Sequence, residues 1–323
     1  MLSAWMLVNT AQNLQDVSKN LSGGYALGRD IDASETAGWN NGSGFAPLGS
    51  DTRRFKGLFD GQGRVITGLV SNRGSTSNIG LFGVVDGSAA VRNVGLVGGR
   101  MTGVSNVGGL VGTNYGSISQ ASASVSVTGG SALGGLVGAN SGSITQASAT
   151  GSVTSSGSTV GGLVGDNSGS ISQAYATGSV TGADALGGLV GNNVGSISQA
   201  YATGSVSGSG AVGGLVGNSE GSISQAYATG SVAGSGAVGG LVGASMFPQI
   251  TSSFWDTQTT GQGTSAGGMG TGLTTASARQ AASYAGWNFT TDWYQAGDLR
   301  PIGRWEAAPA GADGVISIAT LHQ

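Results

Sequence analysis

Gly187-Gly-Leu-Val-Gly-Asn-Asn-Val-Gly-Ser-Ile-Ser-Gln-Ala-Tyr-Ala-Thr-Gly-Ser-Val206 is the stretch on which the reading of this chain turns. Its opening string, Gly-Gly-Leu-Val-Gly, recurs at Gly108, Gly134, Gly161, Gly187, Gly213 and Gly239, at spacings of 26, 27, 26, 26 and 26 residues. A second string, Gly-Ser-Ile-(Ser/Thr)-Gln-Ala, keeps step with it from Gly116, Gly142, Gly169, Gly195 and Gly221. The one extra residue falls in Thr154-Ser-Ser-Gly-Ser-Thr159, a polar stretch of the kind that tolerates insertion as an outward loop. A fixed period of this length marks a stacked-repeat architecture.

The unit does not read as helical. It carries Gly in doublets and few polar helix formers at 3.6 spacing. In Ile171-Ser-Gln-Ala-Tyr-Ala-Thr177 small or apolar residues alternate with polar or aromatic ones, which is the period of a strand. Val180 and Leu186-Gly-Gly-Leu-Val190 add two short apolar pieces between Gly and Ser turns. Three short strands per unit describe one turn of a triangular solenoid whose coils stack about 4.8 Å apart. The expected fold is all-β: a right-handed parallel β-helix with about 26 residues per coil and roughly ten to twelve coils, about 50 Å long at that strand spacing.

Stacking predicts three interior columns. The first is Ile118, Ile144, Ile171, Ile197 and Ile223; the second Leu110, Leu136, Leu163, Leu189, Leu215 and Leu241; the third Val127, Val153, Val180, Val206 and Val232. Each fully buried aliphatic contributes about 1.5–3 kcal/mol, so four or five per coil can offset the ordering entropy of a Gly-rich chain. The Gly doublets are expected where the chain turns with positive φ or passes close to the next coil.

Composition narrows the function classes. The chain has 323 residues, 65 of them Gly, with 8% charged residues and a net charge of −3, which argues against nucleic acid and anionic membrane surfaces as partners. There is no Cys, which removes disulfides and thiolate chemistry. Apolar runs such as Val107–Gly112 are far shorter than the ~20 residues needed to span a bilayer. Met1 to Val8 lacks a basic region and a cleavage site, so no signal peptide is expected there, and either the chain is part of something longer or it is not exported by the usual route.

Polar columns accompany the apolar ones. Asn114, Asn140, Asn167 and Asn193 recur after the Leu-Val-Gly string, and Gln120, Gln146, Gln173, Gln199 and Gln225 precede the conserved-in-repeat Ala. Both read as stacked amides that satisfy turns rather than as ligand ladders. Tyr175, Tyr201 and Tyr227, with Thr177, Thr203 and Thr229 two places on, are expected to face outward and form a possible partner-binding face, able to meet a sugar ring or a protein.

The flanks differ from the rod. All Lys and Arg lie outside residues 101–278, and all Trp lie before residue 40 or after residue 254. The expected division is residues 1–100 as an N-terminal cap with irregular coils, 101–245 as regular repeats, 246–306 as C-terminal coils and an aromatic-rich cap, and 307–323 as a linker or the start of a following module. Asn9 to Leu21 suggests a short amphipathic capping helix with Leu14, Val17 and Leu21 on one face. Val315 to Gln323 faintly echoes Leu7 to Gln15.

Together, Gly-Gly-Leu-Val-Gly-x-Asn, Gly-Ser-Ile-x-Gln-Ala-Tyr-Ala-Thr-Gly-Ser-Val, the flanking Tyr25–Asp32 and the tail Phe254–Gln262 resemble the GLUG-repeat segments of filamentous-haemagglutinin-like bacterial exoproteins. That resemblance implies a right-handed β-helix in a two-partner-secretion adhesin at the cell surface, and it brings no catalytic residues. Host or neighbouring-cell glycans or proteins would be the partners.

Motifs for chemistry are sparse. His322 is the single histidine, so no Ser-His-Asp triad or His-based zinc site is expected, and no metal or cofactor. Gly267-Gly-Met-Gly-Thr-Gly272 lacks the Asp of calcium-binding β-rolls. A polysaccharide hydrolase or lyase would need clustered carboxylates, yet Asp166, Asp184 and Glu220 occupy non-equivalent positions. Asp30, Asp32 and Asp60 could cluster, although Asp60-Gly61 reads more simply as a turn. An ice-binding solenoid would need paired Thr arrays, and the Thr column here is single and interrupted at Ser124. The sequence is therefore read as a non-enzyme, a rigid stalk or adhesive module.

Overall fold

Each 26-residue block winds once around a common axis and lays its strands in register on those of the block before. The computed structural model describes residues 5–246, 249–268 and 270–306. Ile118 pairs with Ile144, Ile144 with Ile171, Ile171 with Ile197 and Ile197 with Ile223, all in parallel ladders. The Val127 to Val232 column is paired in the same way. The leucines stack at the corner between the other two sheets, where the Leu163 amide donates to the Leu189 carbonyl at 2.9 Å and so on along the column. In one coil Ile171, Val180, Leu186, Leu189 and Val190 are at most 1% exposed, so the expected aliphatic core is present.

Three parallel sheets result, one long and two of six and seven strands. Seven complete coils carry the seven-stranded sheet, fewer than the ten to twelve expected, because only the long sheet continues past both ends. There Met6–Val8 and Gly24–Leu27 add rungs at one end, and Phe254–Asp256 and Thr271–Leu273 at the other.

The long sheet's strand is not simply alternating. Ile171 and Ala174 both point inward although they are three residues apart, which strict period two forbids. Gln173 between them has φ 53°, and Gln120, Gln146, Gln199 and Gln225 are likewise left-handed. One left-handed residue per coil resets the pleat as a bulge does, and it leaves two consecutive side chains, such as Ser172 and Gln173, on the outside. The glutamines are therefore bends in the strand as well as a polar column. The Gly doublets, by contrast, are not left-handed. A Cβ on Gly188 would run into the Gly214 carbonyl of the next coil and the Ala202 methyl, so close approach is what requires glycine there.

The ends are closed differently. The N-terminal helix is Ala11–Asp16, shorter than the expected span and followed by a 3-10 turn at Val17–Lys19. The Thr10 hydroxyl caps it by accepting from the Asn13 amide, and Leu14 and Val17 are fully buried against the core. At the other end Trp255 takes the place that Ala228 holds one coil earlier and fills the last interior space beside Gly240. Asp60-Gly61 is not a free turn: it lies within the strand Leu58–Thr67, just before the left-handed Gln62 and Gly63. Residues 307–323, with the expected linker, the echo of the N-terminus and His322, lie outside the described residues.

Candidate functional site

Along the outer face of the long sheet one column of side chains changes character. Its members, in register, are Val65, Gly95, Ser122, Ser148, Tyr175, Tyr201, Tyr227 and Phe254. One rung separates neighbours, and the tyrosine rings stack with centroids 5.1 Å and 4.9 Å apart and nearly parallel planes. The outward orientation expected for the tyrosines is thus present for the column as a whole.

The column's outer side is not open to a partner over its whole length. After Leu273 the chain folds back along the sheet, and its aromatic residues cover the rings. Tyr201 and Tyr227 are at most 2% exposed and cluster with Phe254, Tyr284, Trp287 and Trp293. The Tyr227 hydroxyl donates to the Pro301 carbonyl at 2.6 Å, and the Tyr201 hydroxyl to the Glu306 carboxylate at 2.8 Å. Gln225 donates to the Gly286 carbonyl at 3.0 Å, and the Trp287 indole to the Ser252 carbonyl at 2.7 Å. The aromatic tail is therefore a flap along the side of the rod more than a plug at its end, and two of the three expected contact tyrosines are spent on it. Large aromatic surface is most stable when covered, and the chain supplies its own cover. Thr177 and Thr203 are half-buried and Thr229 is buried, in the corners after the strands.

Where the flap stops, a groove begins. It measures about 350 Å³, and its floor is the small-residue part of the column, Gly95, Ser122 and Ser148. Gln120 and Gln146 line one flank, and Tyr175, Trp305 and Glu306 close the end nearest the flap. The Trp305 indole N–H is buried without a hydrogen-bond acceptor among the described residues. Glu306 accepts from Tyr201 and from the Gly303 amide, at 2.8 Å each. Burial pushes its carboxyl up to about 7, more than those two donors lower it. Burial likewise raises the Tyr175 and Tyr201 hydroxyls.

Other polar groups singled out in the sequence are structural. Asn114, Asn140, Asn167 and Asn193 are at most 1% exposed. Each of the first three donates its side-chain amide to the next asparagine's side-chain oxygen at 2.8 Å, and Asn193 donates to Ser219 at 3.3 Å. A ladder buried and satisfied in this way has no group left for a ligand. Asp30, Asp32 and Asp60 do not gather. Asp30 accepts from the Val65 amide and Asp32 from the Ser34 amide, while Asp60 is held by Arg92 at 2.8 Å and Asn93 at 3.0 Å. Among the described residues no three acidic or His side chains come together as metal ligands, and no helix is long and apolar enough to cross a membrane. The groove itself was not legible in the sequence, although the change from Ser148 to Tyr175 at equivalent repeat positions marks its end.

Comparison with known proteins agrees with this geometry. The GLUG motif matches residues 103–128, 129–154 and 208–233. Halomucin of Haloquadratum walsbyi is 37% identical over 128 residues, 36% of this chain and 1% of that protein. A protein of Evansella cellulosilytica, provisionally named a Gly-rich membrane protein, is 38% identical over 124 residues, 37% of this chain and 14% of that one. The chain thus spans only a small part of the curated relatives it matches. In architecture it is similar to a crystal structure from Bacteroides ovatus, provisionally named an immunoglobulin A1 protease, with TM-score 0.62, 22% identity and 94% of both chains covered. At that identity the likeness concerns the fold alone. The chain is a parallel β-solenoid carrying GLUG-motif repeats.

Proposed function

We propose that this chain is a non-catalytic structural and adhesive module of a secreted bacterial surface protein of the filamentous-haemagglutinin-like kind, forming part of a longer chain. The observation that carries the reading is the pairing of like residue with like residue over successive coils, which makes the repeats a stiff rod with continuous backbone ladders. The names of the two relatives, halomucin and a Gly-rich membrane protein, support a place at the cell surface. Host or neighbouring-cell glycans or proteins are the proposed partners, and nucleic acid is not.

The carboxylates near the outer face support a non-catalytic role. Asp60 is tied to Arg92, Asp256 to Arg300, and Glu306 to Tyr201 and Gly303. Glycoside hydrolysis by the usual route asks for two carboxyl groups across one cleft, and among the described residues Glu306 is the one carboxyl lining the groove. The test is threefold: antibody labelling of intact source cells, adhesion of beads coated with the chain, and incubation with polysaccharides and with immunoglobulin A1. Surface labelling with adhesion and no turnover is the expected result. Turnover of either substrate class would overturn the non-catalytic reading, and bead behaviour identical to uncoated controls would overturn the adhesive one.

A further inference from the structure

We infer that the groove beside the flap is a binding site for a neutral saccharide chain lying along the rod axis, with Tyr175 and Trp305 as its aromatic end wall. The inference rests on the adhesive reading and names its ligand class.

The groove lies on the face of a sheet, not at an edge. Its floor residues Gly95, Ser122 and Ser148 have their strands paired on both sides, so strand addition by a peptide is closed off. A ligand must instead be held by side chains. Those present are the Gln120 and Gln146 amides and the Ser122 and Ser148 hydroxyls, each repeating once per coil. Amides and hydroxyls at an interval of about 4.8 Å match a ligand whose own hydroxyls repeat at a comparable interval, as those of an extended sugar chain do. The left-handed backbone at Gln120 and Gln146 puts two consecutive residues on the outer side, which moves each amide to the flank and leaves the floor to small residues. At the end wall, aromatic rings offer a sugar's C–H face an apolar surface. Among the described residues no cation lines the groove and Glu306 does, so uronate, sulfate and sialate chains are disfavoured.

The repeat itself supplies a blocking substitution that should fold. Tyr occupies the column position in the next three coils, stacked ring on ring. Ser148→Tyr extends that stack by one coil and fills the groove. A Gln120→Gly/Gln146→Gly variant removes the two amides while keeping the left-handed backbone unstrained.

The experiment titrates the full chain and both variants with fluorescent laminarin, mannan and galactan as neutral probes, and with alginate as the polyanion. Bead adhesion to cells is measured in parallel. The expected result is saturable binding of at least one neutral probe, at least tenfold weaker in both variants, with weaker or no binding of alginate. Absence of binding to all neutral probes, equal binding by Ser148→Tyr, or preference for alginate would each overturn the inference. Adhesion that persists in Ser148→Tyr would sink the groove while leaving the surface-module reading standing. Absence of adhesion by the unmodified chain would count against that reading instead.

Discussion

The hydroxyl of Tyr201 donates to the carboxylate of Glu306 at 2.8 Å, joining residues 105 positions apart in the chain. This bond ties the last described turn of the flap to the middle of the tyrosine stack and places Glu306 at the end of the groove. A repeat surface that looks uniform in sequence is thereby divided into a covered half and an open half.

That tie should respond to pH. The Glu306 carboxyl is raised from 4.5 to about 7, chiefly by burial, so its contribution to docking is complete below its unfolded value and is lost as pH rises through about 7. The flap should loosen as the solution passes from about pH 4.5 to about pH 7 and change little above that, seen as a red shift in emission from Trp287, Trp293 and Trp305. Glu306→Gln should flatten the transition. A spectrum unchanged over that range would show that the flap does not depend on this carboxyl. At the acid end the sign reverses. Burial pushes the Asp256 carboxyl up, but Arg300, Thr259 and Thr275 more than offset it and hold it low, so its contribution is lost as pH falls through that lowered value.

The left-handed glutamines invert ordinary strand preferences. Gln173 has φ 53°, so Gln173→Gly should be neutral or slightly stabilising in urea denaturation, whereas Gln173→Val should cost about 1–2 kcal/mol. Equal midpoints for the two variants would contradict the bend.

Glycine at the doublet should be irreplaceable for a different reason. Gly188→Ala brings a methyl onto the Gly214 carbonyl, and relief requires the coils to part. A loss on the order of 1–3 kcal/mol is expected. Gly263→Ala, with nothing near its Cβ, is the control and should leave the melting temperature within about a degree.

The buried amide ladder should behave as one unit. Asn167→Ala leaves the Asn140 amide without its acceptor and the Asn193 oxygen without its donor, at a cost of about 1–3 kcal/mol per group. Pairing it with Asn140→Ala should cost less than the sum of the two single variants, which a double-mutant cycle would measure. Strict additivity would mean the amides act alone.

Much of this molecule is written in one dimension. The period, the three interior columns and the structural role of the asparagines follow from residue spacing, because in a solenoid each residue's neighbours are its counterparts one period away. Even the bend has a trace, since Ile171 and Ala174 are both apolar at an odd separation. The number of complete coils was less legible, because the irregular rungs at Met6–Val8 and Thr271–Leu273 join one sheet only. The site was least legible of all. Periodicity placed Tyr175, Tyr201 and Tyr227 on the outside, but it is silent about a non-repeating segment far downstream, up to 105 positions away for the Tyr201–Glu306 pair. Which rings are covered is decided by where Trp287, Trp293 and Glu306 come to rest, and only long-range packing of aromatic surface determines that.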